Sequence, residues 1–378
     1  EGPMLDRFHY EALNRTMQDL VDGDNNRKIF GGKIVLVSGD FRQLLPVVPK
    51  TNRGGIVNQT LKRSDLWDKE NITLLSLKQN MRVQKEITNQ PSNTLLHQQL
   101  KEHEQWLLDV GNDTVKSYGT IDNGDNIIAV PKQMCCKSAD EVKEKVFDNF
   151  QRNIGEKNYL KERILLAATN EHVDTINDNL VEEMPGTHKE FKSVDSVDDE
   201  DCTMFPQEWL NNQSISGLPQ HNLKLKQNTV VMLMRNMNLK AGHCNGTRYI
   251  VKKMGKYRLV LEKLEYKKGD KNRFLNLPRI PCSASGNYPF TLKRLQFPIK
   301  IAYALTINKA QGQSASKCGI ILPKNIWTHG QIYVAFSRCG NPNNIFVWAE
   351  QEQFEEKNLE PDKMYIKNVV YTEVVNNN

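Results

Sequence analysis

The sequence has no apolar run approaching the ~18 residues that a bilayer-spanning helix requires, and its N-terminus, EGPMLDRFHY, lacks the basic-then-apolar order of a signal peptide. The first residue is Glu rather than Met and the chain opens inside a pattern, as expected of a fragment. Seven cysteines are present (Cys135, Cys136, Cys202, Cys244, Cys282, Cys318 and Cys339). Their number is odd and no pair has CxxC spacing, so neither a zinc site nor a disulfide framework is indicated, and a reducing compartment is the expected home. Asn-x-Ser/Thr triplets such as residues 71–73 read as chance without a secretory route.

The 378 residues suffice for two or three domains, and 25% charged with 38% hydrophobic residues is an ordinary globular composition. The net charge of +6 hides an asymmetry. Residues 219–300 carry 18 Lys and Arg against three acids, a local balance of +15, whereas the remainder carries 33 basic and 42 acidic residues. A basic segment in an acidic chain is the footprint of phosphate binding; a solvated basic face is the alternative. The acidic run DSVDDED (195–201) reads as a wet, self-repelling loop rather than a metal site.

Apolar spacing predicts a helix over residues 5–21, ended by DGDNNR, and further helices over 94–110 and 172–183. The runs 33–37, 74–77, 163–170, 297–307, 318–322 and 344–349 have the texture of buried strands. Strands alternating with helices argue for an open parallel sheet with ligands at the strands' carboxyl ends. Residues 228–236, 248–254 and 258–266 are β-rich. Asn245-Gly246, a favoured two-residue hairpin, and Gly269-Asp270 are turn signals between them, predicting a small antiparallel module inserted in the α/β body.

The stretch SGDFRQLLPV (38–47) puts Asp40, Arg42 and Gln43 directly after an apolar run. At a strand's carboxyl end beside phosphates, Gln43 can orient a water or sense a γ-phosphate, and Asp40 can anchor the loop. A capping aspartate with a solvated glutamine is the alternative. LKQNMR (77–82) adds Arg82, GQIYVAFSRCGN (330–341) adds Arg338, and TINKAQGQS (306–314) adds Lys309, Gln311 and Gly312. Each arginine alone fits a surface position. Together, each after an apolar run, they suit charge donors to a γ-phosphate.

These residues, with GGKIVLVSGDFRQLLPVV (31–48), LKLKQNTVVMLMRNMNLKAGHCNGTRYIV (223–251), QFPIKIAYALTINKAQGQS (296–314) and HGQIYVAFSR (329–338), resemble the Pif-type helicases of superfamily one, in the eukaryotic branch that includes Helitron transposon helicases. The resemblance covers roughly residues 1–350 with the motifs in the family's order. It implies an α/β fold of tandem RecA-like parallel-sheet domains with a small inserted SH3-like β module. The expected parts are the end of the first RecA-like domain (1–90), a connecting helical segment and the start of the second (91–218), the basic insert (219–296), the remainder of the second (297–355) and a tail (356–378) to which no function is assigned.

The resemblance further implies an ATP- and Mg²⁺-dependent 5′-to-3′ DNA helicase acting in the nucleus on single-stranded DNA and duplex junctions. Repair, recombination, telomere maintenance and Helitron transposition are the implied settings. By match, Glu1 polarises the attacking water, Gln43 senses the γ-phosphate, and Arg82 and Arg338 stabilise transition-state charge. Asp40, Gln311 and Gly312 serve nucleotide binding, while Thr306, Asn308 and Lys309 face single-stranded DNA. No metal ligand is assigned, the Mg²⁺-binding Asp being expected upstream of Glu1. The departures are Ser38 for Gly, Ser314 for Thr, and the absence of any G-x-x-x-x-G-K-[ST], a motif the family carries upstream. The chain alone is therefore expected to be inactive. The alternatives are an inactive DNA-binding remnant of a transposon helicase and a helicase subunit of a recombination nuclease.

Overall fold

The computed structural model describes every residue except 1, 69, 122–123, 198–204, 216, 268, 286–289, 324–325, 352–358, 361 and 377–378. The chain divides into two compact units, Glu1–Val142 with Ala310–Asn378, and Lys143–Lys309. It is a mixed α/β fold containing parallel strand pairs. Among the described residues no helix is long and apolar enough to cross a membrane.

In the first unit the amphipathic opening becomes the helix Arg7–Asp19, started by Asp6, whose carboxylate accepts from the His9 backbone N–H. Asn80 caps the helix Met81–Asn89 and Asn93 caps the long helix Thr94–Asn112. The helix Gln331–Phe336 packs on the latter, with Trp106 edge-on to Phe336 at 5.0 Å. Strands Lys317–Leu322 and Ile345–Ala349 pair in parallel from Cys318↔Ile345 to Leu322↔Ala349. The tail is part of this unit: Tyr365–Asn368 pairs antiparallel with Asp125–Ala129, which pairs in turn with Ser117–Ile121.

Two expected strands do not form. Residues 33–37 and 74–77 lie outside any strand, with Ile34 and Leu77 fully exposed and Leu36, Leu74 and Leu75 largely so. An apolar run expresses a demand for burial, but a strand exists only where a second backbone completes its ladder. Among the described residues neither run pairs into any sheet.

In the second unit, strands Arg163–Ala167 and Ala304–Thr306 pair in parallel, and the helix Asn170–Glu183, capped by Thr169, follows the first of them. The basic segment folds largely as a five-stranded antiparallel sheet in the order Phe274–Pro278, Arg258–Lys263, Arg248–Met254, Val230–Leu233, Ile299–Ile301. Asn245-Gly246 does not make a two-residue hairpin. Residues 234–247 form a longer excursion tied by the Asn238–His243 bridge, with Gly246 in the left-handed region at φ 86°. A second sheet joins Val194–Val197, Thr291–Gln296 and Ile280–Ser285.

The acidic run is not wholly wet. Asp195 is buried and takes a two-oxygen fork from the buried Arg294, Nε to Oδ1 at 2.9 Å and Nη2 to Oδ2 at 2.7 Å. Arg294 spends its remaining donors on the carbonyls of Leu210, Asn211, Gln213 and Pro219. Residues 198–201 of the run lie outside the described residues.

The expected strand 297–307 is broken at residues 302–303, its halves joining different partners. Asn177, 2% exposed, holds the break. Its Nδ2 donates to the Ile301 and Ala304 carbonyls at 3.2 and 3.1 Å, and its Oδ1 accepts from the Tyr303 and Ala304 N–H groups at 3.0 and 2.8 Å. Each buried group left unpaired costs ~1–3 kcal/mol. Replacing Asn177 with Leu, similar in volume but without the amide, is therefore expected to lower unfolding free energy by about 3 kcal/mol or more in urea titrations. A loss below about 1 kcal/mol would show that the clamp is dispensable.

Candidate nucleotide site

The loop carrying Gln43 is built from short-range bonds and borrowed contacts. Asp40 Oδ1 accepts from the Arg42 backbone N–H at 3.0 Å and from Arg42 Nη1 at 3.3 Å, and the Gln43 N–H donates to the Asp40 carbonyl at 3.0 Å. The Phe41 ring meets Trp67 edge-on at 5.5 Å and carries the Lys62 ammonium at 4.7 Å. Arg42 Nε reaches Asn112 Oδ1 at 2.7 Å.

The segment 329–338 grips this loop at three points. His329 Nε2 donates to the Phe41 carbonyl at 2.8 Å, and Tyr333 OH donates to Asp40 Oδ2 at 2.8 Å. Gly330 sits at φ 73°, where a Cβ would run into the Arg42 carbonyl oxygen, so only glycine allows this approach. Burial, reinforced by the Asp40 charge, pushes the Tyr333 hydroxyl far above its usual range and keeps it a donor. Burial pulls His329 down to about 4. The imidazole is neutral: Nε2 carries the hydrogen for Phe41, and Nδ1 accepts from the Tyr371 N–H at 2.8 Å.

The candidate residues of this unit meet around the segment 310–313. Gln311 Nε2 donates to Gln43 Oε1 at 3.0 Å. Gln311 Oε1 is buried without a hydrogen-bond partner, an acceptor open to a small donor. Gly312 holds φ 78°, a left-handed turn that glycine adopts at little cost. Arg338 is 4% exposed. Its guanidinium donates to the Ala310 and Gln313 carbonyls at 3.3 and 3.0 Å, to Val334 O at 2.8 Å and to Ser337 Oγ at 2.7 Å. Arg82, exposed at the start of Met81–Asn89, donates through Nη1 to the neighbouring Ser337 carbonyl at 2.8 Å. Within one unit, then, Gln43 bonds Gln311, Arg338 holds the carbonyls of Ala310 and Gln313 on either side of Gln311, and Arg82 holds the carbonyl of Ser337 next to Arg338.

Glu1 lies outside the described residues. Thr306, Asn308 and Lys309 belong to the other unit. There Thr306 is buried, its Oγ1 accepting from the Lys309 N–H at 3.4 Å, Asn308 is half-buried and Lys309 is exposed. Sequence reasoning gave no role to His329, Gly330 or Tyr333, although they lie in a stretch it singled out. The usable signal was Gly330 before a short apolar helix. Amide and guanidinium N–H groups are donors of the kind that phosphate oxygens accept; those of Gln311 and Arg338 are here bonded to Gln43, to backbone carbonyls and to Ser337. The described residues hold no group of three or more His, Cys, Asp or Glu that could hold a metal ion.

A family model described as PIF1-like helicase matches residues 1–120, and one described as the 2B domain of DNA helicase Pif1 matches residues 208–254. The human ATP-dependent DNA helicase PIF1 is 25% identical over 360 residues, covering 92% of this chain and 44% of that protein. The chain spans less than half the length of that relative and of its Xenopus laevis counterpart. Among solved structures, the Pif1 helicase of Candida albicans superposes with a TM-score of 0.58 at 21% identity, over 96% of this chain and 74% of that one. Bacteroides Pif1 in complex with ADP-AlF3 and ssDNA gives 0.59 at 18%, over 96% and 71%. At these identities the likeness is one of fold.

Protonating His329 would break its bond from Tyr371, which gives a pH signature. A histidine near 4 when folded and near ~6.5 when unfolded stabilises fully above ~6.5, and this contribution is lost as pH falls toward 4, by about 3 kcal/mol in all. His103, likewise pulled to about 4 by burial, adds in the same direction. Urea midpoints are expected to fall from pH 7 to pH 5 in the wild type and to fall less in His329→Gln. An equal fall in both would remove His329 from the account.

Proposed function

Because the chain belongs to the Pif1-type helicases of superfamily one, we propose that it supplies part of the ATP site and the strand-gripping surface of a DNA-translocating motor. The observation that carries this reading is the convergence of Gln43, Gln311, Arg338 and Arg82 on one neighbourhood. Phosphoryl transfer demands positioned charge rather than covalent chemistry from the protein. When bound, ATP would supply the free energy of its hydrolysis.

Gln43 would meet the γ-phosphate end, orienting water with its amide. Arg82, exposed and tied only by a carbonyl bond, can turn to a phosphate at small cost. Arg338 would give up carbonyl bonds to do so, which makes it the slower and more selective responder. Gln311 would report the state of Gln43 to the segment that continues into Gly312. Glu1 would polarise the attacking water.

Thr306, Asn308 and Lys309 would hold the sugar-phosphate strand, moving along it in the 5′-to-3′ sense and opening duplex junctions. Repair, recombination, telomere maintenance in the nucleus and Helitron transposition all need such a motor. The basic five-stranded sheet would serve as the SH3-like insert of the family. The expected domain limits, 1–90, 91–218, 219–296, 297–355 and 356–378, stand as the proposed division.

A titration of the 378-residue chain with ATP is expected to show weak binding, since it contains no phosphate-cradling glycine loop; micromolar affinity would contradict this. In a version extended upstream through that loop, Arg82→Ala is expected to lower ATP turnover ~10³-fold or more. Binding of single-stranded DNA should persist. Arg338→Ala should also abolish turnover. Unchanged turnover in both would remove the arginine assignment.

A further inference from the structure

Residues 365–375 lie outside every motif of the sequence, yet the fold ties them down along their whole length. Tyr365–Asn368 is a strand paired with Asp125–Ala129, and the Lys367 ammonium meets the buried Asp125 carboxylate at 2.7 Å. Asn368 Nδ2 donates to the Val110 carbonyl at 3.1 Å and to Asp113 Oδ1 at 3.2 Å. The backbone then changes partner. The Gly330 N–H donates to the Val369 carbonyl at 3.0 Å, and the Tyr371 N–H donates to His329 Nδ1 at 2.8 Å. Arg53, at the start of the helix Arg53–Gln59, takes hold of the same stretch. Its Nε and Nη2 fork onto Glu373 Oε1 and Oε2 at 3.1 and 2.7 Å. Nη2 also donates to the Val370 carbonyl at 3.2 Å, and the guanidinium lies 4.8 Å from the centre of the Tyr371 ring.

These contacts close a ring within one unit. The Phe41 carbonyl accepts from His329, His329 accepts from Tyr371, and Arg53 covers the Tyr371 ring. Residues 42–52 lead back from Arg53 to Phe41, and Gln43 lies on that return path. The joint between Arg53 and Glu373 is the exposed part, its side chains 28% and 44% accessible, whereas Val369, Val370, Tyr371 and Val374 are buried. An ion pair so exposed adds little to global stability. It does fix an orientation, because a guanidinium forked onto a carboxylate is held in its plane. Its worth is therefore positional: it keeps the Tyr371 N–H on the His329 ring, and the ring on Phe41.

We propose that residues 369–373 are a positioning element of the nucleotide loop, and that the fork between Arg53 and Glu373 is the latch which, through Tyr371 and His329, keeps Gln43 in place. The proposal rests on the reading that Gln43 belongs to an ATP site. It adds to that reading Arg53, Tyr371 and Glu373, which act through His329 rather than on the nucleotide. An amide that orients a water is sensitive to small displacements, since a shift of about 1 Å can cost ~10²-fold in rate.

The test has two arms. In the whole chain, amide hydrogen exchange reads the Arg42 and Gln43 N–H groups, both bonded to Asp40, and that of Tyr371. Arg53→Ala is expected to speed all three about tenfold, and Glu373→Gln about threefold, while the amides of Arg7–Asp19 keep the wild-type rate. In the version extended upstream through the phosphate-cradling loop, Arg53→Ala is expected to lower kcat about tenfold and to leave KM for ATP unchanged, because Gln43 places a water rather than holding the nucleotide. Wild-type exchange at residues 42, 43 and 371 in both variants would overturn the latch and leave the ATP reading standing. So would an equal acceleration throughout Arg7–Asp19, which marks global loosening. Loosened amides with unchanged kcat, where Arg82→Ala does lose turnover, would reduce the tail to packing and overturn its positioning role. No turnover by the extended wild type would overturn the ATP reading and this role with it.

Discussion

The Gln43 loop has almost no regular structure, so its shape is imposed by the segment 329–338. That imposition rests on a neutral imidazole. His329 can donate to Phe41 and accept from Tyr371 only while one nitrogen is bare. Its burial is what keeps the nitrogen bare at neutral pH. The tail contributes, since the Tyr371 ring lies 5.2 Å from that of His329. Gly330 completes the grip, since any side chain there would push the loop away.

A consequence is that the loop and the arginine-bearing helix form one mechanical piece. Asp40 answers Tyr333, Gln43 answers Gln311, and Arg338 holds the carbonyls on either side of Gln311. A ligand pulling on Gln43 or Arg338 must disturb the other, because they share the short segment 310–313. The orphaned Gln311 oxygen marks where that network is incomplete, and unsatisfied buried acceptors are costly enough to favour whatever donor completes them.

Much of this was legible in the residues. Helix spacing over 5–21 and 94–110 gave elements close to those observed, and the apolar runs at 318–322 and 344–349 became paired strands. The runs at 33–37 and 74–77 were misread because apolar texture reports burial demand and is silent on whether a neighbouring backbone exists. The break at 302–303 was missed because its cause, Asn177, lies over a hundred residues away. The convergence of Gln43, Arg82 and Arg338 was anticipated from their order. His329 was not, since a buried histidine and a surface histidine look identical in a sequence.

Charge shows the same limit. The basic segment invites the view that all its cations face phosphate, yet several are spent inside the fold. Arg294 is locked to Asp195 and four carbonyls, and Lys226 caps the end of Asn170–Glu183 through the Glu182 and Met184 carbonyls. Arg248 donates to the Leu160 and Arg163 carbonyls, and Lys263 to that of Ala241. Glu262 draws in Lys157 and Lys252. Buried cations held this way are costly to free and cannot answer a passing strand. The surplus that can do so is therefore smaller than the local balance suggests, and it is concentrated where cations are poorly compensated. Which cations those are is decided by geometry rather than by net charge.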